Sequence, residues 1–80
     1  VRLPRDISGL DLAGRLARLG YEVTRQTGSH IRLTTVQGGE HHVTFPAHDP
    51  LKIGTLSAIL REVGAHHGLE REDLLKRLFI

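Results

Sequence analysis

Residues 21–45 alternate between apolar and polar side chains in three short runs, and glycines break the runs apart. Tyr21, Val23 and Arg25 oppose Glu22, Thr24 and Gln26. Ile31 and Leu33 oppose His30, Arg32 and Thr34, and Val43 and Phe45 oppose His42 and Thr44. A period of two is the mark of a strand with one buried face. Thr27-Gly28-Ser29 and Gln37-Gly38-Gly39 are natural reversals, and Pro46 ends the third run. Three antiparallel strands with one apolar face are not stable alone, so helices must cover that face.

The flanking sequence supplies those helices. Leu12, Leu16 and Leu19, with Ala13, form a helical stripe after the N-cap Ser8, and Asp11 follows at capping-box spacing. This helix is expected over about Gly9 to Leu19, with Gly20 as its stop. Ala47 to Ile53 reads as a loop. Leu56, Ile59, Leu60 and Val63 then give the strongest helical signal in the chain, opening at Gly54 or Thr55 and running to about His67, with Gly68 beyond. A last helix, about Arg71 to Leu78, would bury Leu74, Leu75 and Leu78. The expected class is α+β, in the order αβββαα, as one domain of 80 residues.

Composition narrows the function. The chain has no Cys, so neither a disulfide framework nor a thiolate site is available. No apolar run approaches the ~18 residues of a membrane span, and the expected location is cytoplasmic. Net charge is only +2, yet nine of the eleven cations are Arg, whose planar fork suits phosphate. Six histidines raise the question of a metal. His41-His42 and His66-His67 are adjacent pairs, and neighbours on a strand point to opposite faces. There is no helical His-x-x-x-His and no carboxylate set for two-metal hydrolysis, so no metal or cofactor is expected.

The charge is not spread evenly. Val23 to Gly39 contains no carboxylate but holds Arg25, His30 and Arg32. An imidazole at the mouth of a tight turn, flanked by guanidiniums, suits a bound phosphodiester. The plainer alternative is a surface histidine in a polar hairpin. By parity His30, Arg32, Thr34, His42, Thr44, Thr24 and Gln26 share the outer face, which makes His42 a candidate second acid or base. Lys52, Gly54 and Thr55 open the long helix, where free amides and a cation favour an anion. Arg15 and Arg18 lie off the apolar stripe of the first helix. A helix-turn-helix reading of Leu60 to Leu75 places Glu70, Glu72 and Asp73 at the groove-entering end, which opposes DNA binding.

Gln26-Thr27-Gly28-Ser29-His30, then Val43-Thr44-Phe45-Pro46, then Pro50-Leu51-Lys52-Ile53-Gly54-Thr55-Leu56 with Ile59-Leu60, is similar to the HicA (YcfA-like) family. These are messenger-RNA interferase toxins of bacterial toxin–antitoxin pairs. The resemblance covers about residues 8 to 68. It implies a double-stranded-RNA-binding-domain-like αβββα fold, endoribonuclease activity without a cofactor, and a HicB-type antitoxin as partner. The family's catalytic histidine corresponds to His30, and Gly28 and Ser29 correspond to its turn. None of the other histidines has a counterpart. Leu69 to Ile80 extends past the family core, either to pack on it or to dock a partner. Together these readings give an RNA-binding ribonuclease, with Arg25, Arg32, Lys52 and Thr55 as phosphate-binding groups and with Arg15 and Arg18, on the open face of the first helix, contacting RNA where the implied fold does. The rival is an RNA-binding module without catalysis.

Overall fold

A computed structural model describes residues 2–80. The elements are α1 (Gly9–Leu16) with a 3-10 turn (Ala17–Leu19), β1 (Glu22–Thr27), β2 (His30–Thr35), β3 (His41–Pro46), α2 (Ile53–His67) and α3 (Arg71–Phe79). The strands form one antiparallel sheet in the order β1-β2-β3. This is an α+β fold, consistent with the double-stranded-RNA-binding-domain-like expectation.

The alternation does what the sequence requires. Ile31, Leu33, Val43 and Phe45 are buried, and so are Leu12, Leu16, Leu19, Leu56, Ile59, Leu60 and Val63 from the helices. Leu74, Leu75 and Leu78 of α3 join the same core, so the segment beyond Gly68 packs on α1 and α2. Two further core residues come from stretches read as connections. Leu51 and Ile7 are both buried, and the Leu51 amide donates to the Ile7 carbonyl at 2.8 Å. A lone apolar residue in a loop has no periodicity to announce it.

Chain ends and turns are held by specific groups. Ser8 Oγ accepts from the Asp11 amide at 3.0 Å, which caps α1. The helix tightens to a 3-10 turn after Leu16 and stops at Gly20, where φ is 83°. α2 opens at Ile53, slightly earlier than the sequence suggests, with Lys52 as N-cap. Gly64 sits where α2 meets α3; a Cβ there would lie 3.0 Å from the Leu69 carbonyl oxygen and 3.5 Å from Leu74.

Arg15 and Arg18 serve the same junction. Both arginines, expected to face RNA, are engaged at the C-terminal end of α3. Arg15 Nη1 donates to the Leu78 carbonyl at 3.0 Å, and its guanidinium lies 5.3 Å from the centre of the Phe79 ring. Arg18 Nη1 donates to the carbonyls of Arg77 and Ile80 at 3.1 and 2.7 Å. The last carbonyls of a helix have no partner within it, and the negative end of the helix dipole attracts cations.

Four rings pin the far end of α2 to the sheet. Tyr21 Oη lies 2.8 Å from His41 Nδ1 and 3.2 Å from His67 Nε2. One hydroxyl proton serves only one of these, so the other imidazole must be the donor. His66 stacks on His41 with centroids 4.4 Å apart, and its Nε2 donates to the carbonyls of Gln37 and Gly39 in the β2–β3 turn. Burial pushes the Tyr21 phenol up to about 12.

Burial first, and His66 second, holds the His41 imidazole below its ordinary 6.5; Glu62 opposes this and His42 adds to it. His67 is lowered by burial, then by His66, His41 and Arg77. The unfolded chain therefore binds more protons than the folded one as pH drops through 6.5. Stability from this cluster is complete above that value and lost as pH falls through the lower folded-state values. Thermal melts should show a falling midpoint between about pH 7.5 and about pH 5. A His41→Asn, His67→Gln variant should show a flatter dependence. Equal slopes for the two proteins would remove the cluster as the cause.

The start of α1 abuts the end of β3. The Gly9 amide donates to the His48 carbonyl at 2.9 Å, and a Cβ on Gly9 would overlap the Pro46 carbonyl oxygen. Gly9→Ala should cost about 1–3 kcal/mol, the usual penalty for overfilling a packed contact. Gly14→Ala, where a Cβ meets nothing within 4 Å, should be neutral or stabilising. Denaturant melts of the two variants give the comparison.

Candidate nucleic-acid interface and active site

The β1–β2 hairpin builds the site. Thr27 and His30 close it as a cross-strand pair, leaving Gly28 and Ser29 as a two-residue loop. Gly28 has φ 59°, the positive value that a type II′ turn needs at its first central position. The Ser29 carbonyl accepts from the Ala47 amide at 2.6 Å, which fastens the turn to the exit of β3. His30 also pairs with Pro46 on its other side, so its backbone is flanked by both neighbours while its side chain stays exposed.

Register then decides which side chains join it. A bulge interrupts β1 between Val23 and Arg25. Beyond it Arg25 stands opposite Arg32, and Gln26 stands opposite Ile31. This reverses the simple parity, which places Gln26 on the outer face and Arg25 on the inner one. The extra residue lets Thr24 and Arg25 both project outward: Thr24 Oγ1 lies 3.0 Å from Thr34 Oγ1 on that face. The result is an open depression of about 220 Å³ lined by Arg25, Thr27, His30, Arg32 and Thr44. Thr27 was legible only as a turn residue; the two-residue Gly-Ser loop is the signal that would have paired it with His30.

Two guanidiniums directly opposite on adjacent strands repel each other. Nothing offsets this pair: among the described residues neither Arg25 nor Arg32 has a carboxylate partner within ion-pair distance. An anion between them would relieve the repulsion and use both forks.

His42 is removed from this centre. It pairs with Thr34, four positions along the ladder from the His30–Pro46 pair. At the rise of a strand that is about 13 Å, too far for both rings to serve one phosphodiester. Both its nitrogens are engaged, Nε2 by Glu40 Oε2 at 2.8 Å and Nδ1 by Thr34 Oγ1 at 2.7 Å. The expected role of second acid or base is therefore corrected: His42 belongs to a hydrogen-bonded row with Glu40, Thr34 and Thr24.

Lys52 and Thr55 lie at the start of α2, outside the lining of the His30 depression. No side chain caps the first turn there, and a Cβ on Gly54 would meet nothing within 4 Å. Among the described residues no group of three or more His, Asp or Glu side chains is arranged to hold a metal ion. No helix among them is long and apolar enough to cross a membrane.

Comparison with known proteins agrees with the sequence motifs. A family model described as HicA toxin of bacterial toxin-antitoxin matches residues 11–65. No curated protein and no solved structure gives a significant match to the chain. The matched stretch runs from the first turn of α1 almost to the end of α2 and includes the hairpin, the bulge and His30. On that match the chain belongs to the HicA toxin family of bacterial toxin–antitoxin systems.

Proposed function

We propose that this toxin cleaves messenger RNA, with His30 as the general acid or base. The observation that carries this reading is the unpaired Arg25–Arg32 couple beside an exposed histidine at a rigid turn. The two guanidiniums hold the scissile phosphate, as planar donors do. His30 moves a proton at the ribose 2′-hydroxyl or at the leaving 5′-oxygen. When the 2′-oxygen bonds to phosphorus and the P–O5′ bond breaks, the guanidiniums face the charge that builds on the phosphoryl oxygens. Thr27 and Thr44 offer hydroxyls to the same phosphate or its sugar. Lys52, Thr55 and the uncapped amides of α2 bind phosphates elsewhere along the strand.

His30→Ala should abolish cleavage of a long RNA and leave the fold intact. Loss of a positioned acid or base typically costs 10²–10⁴-fold, a rise of roughly 3–5 kcal/mol in barrier. The melt should move by no more than about 0.5 kcal/mol, as for a surface side chain. RNA binding should survive in His30→Ala. It should weaken in Arg32→Ala, with the salt slope of log affinity shallower by about 0.7 for one lost phosphate contact on a single strand. Cleavage by the wild type should persist in EDTA, because the mechanism uses only imidazole and guanidinium groups. A folded His30→Ala protein that cuts RNA at the wild-type rate rejects the assignment. RNA bound but never cut, even by the wild type, favours the rival reading of a binding module.

A HicB-type antitoxin restrains the toxin by covering this same face with a carboxylate-bearing surface. The two arginines supply the complementary charge. In hydrogen-exchange mapping of the complex, protection should fall on 25–32. Antitoxin that blocks cleavage while leaving those residues unprotected would rule out masking.

A further inference from the structure

The His30 depression holds one imidazole and no second group fit to move a proton. It is lined by Arg25 and Thr27 from β1, His30 and Arg32 from β2, and Thr44 from β3. The two guanidiniums stay charged near neutral pH. Threonine hydroxyls are not among the side chains that serve as general acid or base. Histidine is the one residue type in the lining that changes charge there. Among the described residues the His30 ring has no hydrogen-bond or ion-pair partner, so no carboxylate or second imidazole stands ready to exchange a proton with it. The remaining histidines lie elsewhere. His42 is about 13 Å away along the ladder, with its nitrogens engaged by Thr34 and Glu40. His48 follows the exit of β3, its carbonyl tied to the Gly9 amide, and is not part of the lining. Lys52, at the start of α2, is also outside it. His41, His66 and His67 belong to the ring cluster with Tyr21.

We infer that this is a one-histidine centre whose reaction stops at a 2′,3′-cyclic phosphate. The inference rests on the ribonuclease reading and specifies its products. In the cleaving step the ribose 2′-oxygen bonds to phosphorus. The P–O5′ bond breaks, and its electron pair goes to the 5′-oxygen. His30 carries one of the two proton transfers, from the 2′-hydroxyl or to the 5′-oxygen, and solvent carries the other. The pieces are a cyclic phosphodiester upstream and a 5′-hydroxyl downstream. One imidazole suffices because the nucleophile is part of the substrate, and a built-in nucleophile has an effective molarity of about 10⁵ M or more. Opening the ring with water lacks that advantage. The water must be held in line and lose a proton while the 2′-oxygen gains one, and a lone imidazole cannot stand on both sides of the phosphorus. Once the downstream strand has gone, the upstream end keeps only its own contacts in an open depression, and it leaves before water reacts. These ends then pass to a separate catalyst that hydrolyses cyclic phosphodiesters, before any step that needs an open 3′ end.

The test is a time course on a heteropolymeric transcript, with the product ends read by mass spectrometry. Upstream pieces should be one water lighter than the 3′-phosphate form and should stay so after all the transcript is cut. Downstream pieces should carry a 5′-hydroxyl. A second readout is kcat at saturating RNA between about pH 5.5 and about pH 8.5, the span over which a histidine titrates. One acid–base group gives one inflection, whereas a base paired with an acid gives a bell. The rate should stay within about tenfold in His42→Gln and in His48→Ala, since loss of a true acid or base costs 10²-fold or more. Melts at each pH confirm that the proteins are folded. Cut RNA with 3′-phosphate ends from the earliest times, or with 5′-phosphate ends, overturns the inference and leaves the ribonuclease reading standing. So does a bell-shaped profile, or a larger loss in either histidine variant. A transcript left uncut by the wild type rejects the ribonuclease reading itself, and this inference with it.

Discussion

The burial of one sheet face is the constraint from which the rest follows. Ile31, Leu33, Val43 and Phe45 must leave water, and three strands cannot bury them alone. All three helices therefore gather on that side. The opposite face is left bare, and every side chain that alternates outward from β2 and β3 meets solvent there. The candidate site is the part of that bare face where the chain carries no acid. Its rigidity is borrowed: the turn before His30 is fastened to Ala47, and the start of α1 is seated on Pro46 and His48.

Most of the fold was legible because it rests on periodicity. The stripe of α1, the i, i+3, i+4, i+7 set of α2 and the alternation of β2 and β3 each specify an element and its buried side without help from the rest. The terminating glycines, Gly20 and Gly68, were legible for a similar reason, since both adopt the left-handed conformation that a helix stop favours. Ile7 and Leu51 were not, because their burial depends on two connecting segments meeting in space.

The site was half legible. His30, Gly28 and Ser29 stand out in any reading of the hairpin, since a two-residue loop fixes where the strand begins. Arg25 could be named from its charge but not placed, because a bulge changes parity without leaving a sequence mark of its own. His42 failed for the converse reason: face was right and distance along the strand was not. Arg15 and Arg18 look unengaged on a helical wheel, yet both donate to the last carbonyls of α3. A wheel knows nothing of a helix that returns some sixty residues later in the chain.

The bulge also matters at the margin of the sheet. β1 is an outer strand, and all six of its residues are exposed. A flat outer strand invites a stray chain to add itself by backbone pairing. With one residue too many between Val23 and Arg25, β1 twists, its ladder loses even spacing, and an incoming strand cannot keep register along its length. The irregularity that turns a cation toward His30 thus makes the same strand a poor template for aggregation.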